Sequence, residues 1–135
     1  MSKALKRIVT ALGASALALC GFAATAHHSA AQFNLREPVT VEGTIKQFNV
    51  TNPHTIAVVE ITDDARGTRD VEFEGHSASH FYRSGYTRGL AKPGDTIVLV
   101  YGPRHDGEDG GYILGFTVNG KTVQFGSRSP ETGSE

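Results

Sequence analysis

Two adjacent histidines, His27 and His28, directly follow the tripeptide Ala24-Thr25-Ala26, and that placement gives them chemistry an internal pair lacks. Signal peptidase accepts such a small-x-small tripeptide, so cleavage is expected between Ala26 and His27. His27 would then carry a free α-amine beside its imidazole, and the two groups chelate one ion together. An α-amine ordinarily titrates at about pH 7.7–8.0, so it gives up its proton to a metal at neutral pH. A third nitrogen completes a T-shaped set, which suits the tetragonal nitrogen preference of Cu(II). The constellation resembles the histidine brace of copper oxygenases and of some periplasmic copper carriers, as a local arrangement and not as a fold. His54 is the first candidate for the third nitrogen, with His28 as an outer or substitute ligand. About twelve residues separate His27 from Val39, an arm that reaches roughly 40 Å when extended, so distance does not veto a contact with His54. The structural alternative is plain: a polar start of the mature chain, and a His54 that bonds a backbone carbonyl after Pro53.

Other spacings carry less. His76 and His80 stand four apart, which can place two imidazoles on one helix face. The residues between them are Ser77, Ala78 and Ser79, with no Glu as in a metalloprotease helix, so two solvated side chains at a helix start are expected. Asp106, Glu108 and Asp109 crowd one loop, but the stretch lacks the EF-hand pattern with its terminal Glu. No nucleophile-elbow pattern and no phosphate-cradling glycine loop is present, so no catalytic residue is nominated.

The elements that position these groups follow from the leader onward. Lys3, Lys6 and Arg7 form a positive start, and Ile8 to Ala23 follows without a charge. That stretch is shorter than the roughly 20 residues needed to span a bilayer, and no basic stop-transfer cluster follows. Residues 1–26 therefore read as a cleaved signal peptide, the mature protein as periplasmic or secreted, with no stable membrane insertion after cleavage. The 109 residues that remain suffice for one domain. They carry a net charge of −4 with neutral histidines. A nucleic-acid partner is not expected, because neutralising phosphates requires a surplus of Lys and Arg. The single cysteine, Cys20, lies in the leader, so the mature domain has neither a disulfide nor a thiolate ligand.

Residues 27–38 form an N-terminal arm with Phe33 and Leu35 as apolar anchors, closed by Pro38. From Val39 the chain alternates with period two: Val39, Val41 and Ile45 on one face, with Gly43 as a bulge or bend. Thr55 to Thr62 and Arg69 to Gly75 are the second and third strands, separated by a turn at Asp63–Gly67. Ser77 is the expected cap of a short helix to about Ser84, with Ala78, Phe81 and Tyr82 facing inward and Gly85 ending it. Thr96 to Tyr101 is the fourth strand, and Tyr112, Leu114, Phe116 and Val118 mark the fifth. Asn119-Gly120 is a strong hairpin signal, so Lys121 to Phe125 should fold back as a short extra strand. The expectation is an all-β domain with one short helix, a five-stranded OB-fold-like barrel of order β-β-β-α-β-β over residues 39–125. Residues 126–135 are small and polar and are expected to be a disordered tail.

Several stretches together resemble one exported bacterial family, catalogued as domain of unknown function 6152. They are His27-His28-Ser29, Glu42-Gly43-Thr44, Asn52-Pro53-His54, Arg83-Ser84-Gly85-Tyr86, Leu90 to Asp95, and Pro103-Arg104-His105-Asp106-Gly107. The resemblance covers nearly the whole mature chain and implies organisation, with no assigned activity. Its members typically carry tryptophans near the Asn-Pro-His stretch and after the helix, where this chain has Val50 and Tyr86. The functional expectation is a non-catalytic binding protein with copper(II) as its ligand. The alternative is a metal-free OB-type module that binds a peptide, a glycan or an envelope partner. For that alternative the surface would be the second and third strands with Tyr82, Tyr86, Tyr101 and Tyr112.

Overall fold

A computed structural model describes residues 30–126. The expected leader and cleavage site, His27, His28 and the residues after Gly126 lie outside the described residues. The chain divides into two compact units, Met1–Gln32 and Phe33–Glu135, and the second holds every strand and the helix named below.

Within residues 39–124 six strands and one helix succeed one another: β1 (Val39–Asn49), β2 (Thr55–Asp63), β3 (Gly67–Gly75), α1 (Ala78–Arg83), β4 (Thr96–Pro103), β5 (Gly111–Val118) and β6 (Lys121–Gln124). Their order in the sheet is β3-β2-β1-β4-β5-β6, and a parallel pairing of β3 with β5 closes the first five into a barrel. That closure is the OB-type arrangement expected from the element order. Closure depends on β1, which pairs with β4 through Val39–Thr44 and with β2 through Thr44–Asn49. The crossover falls at Thr44, which both pairings share, directly after Gly43. A Cβ on Gly43 would sit 2.6 Å from Val59 Cγ1, so only glycine lets β1 bend this closely over β2. The register irregularity itself comes later, between Ile45 and Gln47.

Alternation fills the barrel. Ala57, Val59 and Ile61 of β2, Val71 and Phe73 of β3, and Ile97 and Leu99 of β4 point inward and are buried. The helix plugs one end with Phe81, which is fully buried and meets Phe125 at 4.5 Å and Phe48 at 6.2 Å between ring centroids. Tyr82, expected to face inward, is exposed, and Tyr86 fills that space instead. The cause is the turn at Gly85 (φ +95°), which swings the chain back so that the Tyr86 amide donates to Phe81 O. Ser77 stands at the cap position but makes no side-chain cap bond. The first-turn donors are taken by carbonyls: Ala78 N donates to Thr51 O, and His80 N and Phe81 N donate to Ser77 O.

Two departures from simple alternation shape the outside. In β5 the register slips opposite Val100 and Tyr101, so Ile113 and Phe116 face the core and Leu114 does not. Leu114 was expected in the same row as Phe116; the bulge turns it outward. The β5–β6 hairpin closes as expected through Asn119 (φ +50°) and Gly120 (φ +75°), the left-handed pair of a type I′ turn. The segment before β1 also joins the barrel unit. Phe33 is buried and bridges to Arg104, and Asn34 N donates to Pro103 O at 2.8 Å.

Candidate functional site

His54 is placed by a loop that is tied down at both ends. After β1 the chain runs through Val50 and Thr51 to a cis Asn52–Pro53 bond and then into β2. Thr51 Oγ1 donates to His54 O at 3.0 Å, and Thr51 O accepts from the first residue of α1. Thr55 N donates to His76 O at 3.0 Å, which continues the β2–β3 ladder one step past Thr55–Gly75. Thr55 and Gly75 are buried, so the alternation turns His54, Glu74 and His76 to the outside.

On that face His54 Nδ1 lies 3.1 Å from Glu74 Oε1. Nδ1 makes no hydrogen bond across that gap and is shut off from solvent. The His54 side chain is nevertheless 38% exposed, so its open area belongs to the rest of the ring, which carries Nε2. Metal-ligating histidines characteristically donate one ring N–H to a carboxylate; His54 has the carboxylate within reach but not that hydrogen bond.

His76 and His80 were expected as a solvated pair on one helix face. His76 instead precedes the helix, and both rings are half-buried. They stack at 4.1 Å with 13° between planes and pack on Phe125. Imidazole lone pairs lie in the ring plane, so stacked rings aim them side by side and not at one point. His76 Nδ1 is also engaged, 3.0 Å from Tyr112 Oη. Burial pushes the His76 pKa down, and the neighbouring His80 and His54 push it further the same way. Among the described residues no three His, Cys, Asp or Glu side chains are arranged to hold a metal ion. The barrel therefore offers one oriented histidine, not a complete cage.

The acidic loop is occupied by arginines. Asp109 accepts from Arg69 Nε at 2.8 Å and pairs with Arg66 at 2.9 Å, while Asp106 pairs with Arg104. That pairing holds the Asp106 carboxyl down at about 2. The tyrosines expected to form a binding face serve the packing. Tyr86 and Tyr112 are buried, Tyr101 is half-buried against Phe73 at 4.8 Å, and only Tyr82 is exposed.

Sequence reasoning missed a groove of about 740 Å³ on the outer face of β4, β5 and β6. Val98, Val100 and Leu114 line it, with Leu35 and Pro38 among its other residues. The outward Val98 and Val100 follow from alternation with Ile97 and Leu99. The place of Leu114 depends on the bulge, whose one trace in the sequence is Gly115.

A closed five-stranded barrel, plugged by one short helix and extended by a hairpin, makes this a small OB-like domain. The chain belongs to the family of unknown function DUF6152, whose family model matches residues 15–113. No curated protein matches it.

Proposed function

We propose that this is an exported, non-catalytic binding protein for copper(II). His27 supplies its α-amine and imidazole once the leader is removed, His54 supplies the further imidazole, and His28 is an outer or substitute ligand. The observation that supports the reading is the placement of His54, with Nδ1 turned away from solvent towards Glu74 at 3.1 Å and the side chain still 38% exposed, which leaves the rest of the ring open to a ligand. A brace needs only one imidazole from the barrel, so the lack of a three-residue cage among the described residues is compatible with it.

The test is a calorimetric titration of correctly processed protein with Cu(II). One equivalent should bind, with affinity falling at acid pH as the amine and imidazoles protonate. His54→Ala and a chain with one extra residue before His27 should each weaken binding at least tenfold. Unchanged affinity in both would contradict the proposal.

The second reading, a metal-free module, draws support from the apolar groove. It moves the expected surface from the tyrosines to the outer face of β4–β6.

A further inference from the structure

The groove on β4–β6 has a chemistry of its own. Its floor is aliphatic, from Val98, Val100 and Leu114, and Leu35, itself 40% exposed, lines it as well. Of its lining residues only Arg36 is charged. The acid nearest to Arg36 in the chain, Glu37, is engaged elsewhere: Asn34 Nδ2 donates to Glu37 Oε2 at 2.8 Å. Asn34 Oδ1 in turn accepts from the Arg36 amide, which fixes the turn. Among the described residues no carboxylate pairs with the Arg36 guanidinium. A cation with no carboxylate partner among the described residues thus stands at an aliphatic groove, in a mature chain whose net charge is −4.

We propose that this groove binds a linear alkyl carboxylate, a fatty acid, with its chain along Val98, Val100 and Leu114 and its carboxylate on Arg36. A guanidinium recognises a carboxylate through two parallel hydrogen bonds. The volume lies within the range of small-molecule sites, about 300–1,000 Å³. A peptide fits less well. Its amides need partners when they leave water, and the floor is made of hydrocarbon. Of the uncharged polar side chains that line it, the Thr117 and Thr122 hydroxyls already bond each other at 2.8 Å, which leaves the Gln124 amide for a peptide backbone. An alkyl chain needs none. The proposal is independent of the copper reading, since the groove contains neither His54 nor Glu74.

The experiment is isothermal titration of the exported protein with dodecanoate below its micellar concentration, in the presence of a copper chelator. Saturable one-to-one binding is expected, tightening about fourfold for each methylene added from octanoate upward. Arg36→Gln, at an exposed position, should weaken dodecanoate at least tenfold, leave dodecanol unchanged and retain the copper affinity of the parent. Leu114→Asp, checked for fold by circular dichroism, should abolish both alkyl ligands. Absence of dodecanoate binding, equal binding of dodecylamine, or an Arg36→Gln variant indistinguishable from the parent would each overturn the proposal. So would adsorption to phosphatidylglycerol vesicles, or capture of an apolar peptide through its C-terminus, without uptake of dodecanoate.

Discussion

Single atoms carry two measurable consequences. Thr55 is fully buried at the start of β2, and its hydroxyl has no partner among the described residues. A buried hydroxyl without a hydrogen bond costs about 1–3 kcal/mol by mutational measures. Thr55→Val keeps the shape and removes the orphan, so it should raise the unfolding free energy by about 1 kcal/mol. Urea denaturation reads this directly, and a loss of stability would contradict it. His76 links stability to pH. Its folded pKa lies below its unfolded value, chiefly through burial and then through His80 and His54. A histidine shifted in that direction contributes fully above about pH 6.5, and the contribution is lost as pH falls below that value towards the folded pKa. The melting temperature of chelator-treated protein should therefore drop between pH 7 and pH 5, with a smaller drop in His76→Gln. Equal slopes in the two proteins would remove His76 as the cause.

At the scale of elements, the helix matters through one ring. Phe81 closes the barrel end against Phe48, Tyr86, Phe116 and Phe125. Phe81→Ala should cost about 3–5 kcal/mol, a large part of the 5–15 kcal/mol that holds a typical domain together. Chemical denaturation with a midpoint unchanged from the parent would mean that the helix does not plug the barrel. These elements were legible in the sequence because each has a local cause. Period-two alternation marks β2, β3 and β4, the Asn119-Gly120 pair marks the last hairpin, and a six-residue helix between the third and fourth strands marks the topology. What was not legible has non-local causes. The bulge that turns Leu114 outward answers the shape of β4, and no residue of β5 states it except Gly115. The exchange of Tyr82 for Tyr86 depends on the turn at Gly85 returning the chain to the barrel end. The approach of Asn34 and Leu35 to β4 needs a partner without a side chain: a Cβ at Gly102 would lie 2.7 Å from Leu35 Cδ2 and 2.9 Å from Asn34 O. Of the candidate site, His54 was legible by residue type, while Glu74 was placed behind it by strand register alone.

For the whole molecule, a barrel of this size closes without a disulfide, its one cysteine falling in the expected leader. A metal bound only by the folded, processed chain would add stability in proportion to its occupancy, as any ligand of the native state does. The proposed chelate requires a free amine at residue 27 together with the His54 ring on the outer face beside Glu74. The most direct measurement is the intact mass of the protein as isolated from its native host, supplied with one equivalent of copper and recorded before and after a chelator. The account predicts a chain that begins at His27 and holds one copper ion, released by the chelator. A chain that begins at any other residue, or one that begins at His27 and retains no copper, would contradict it.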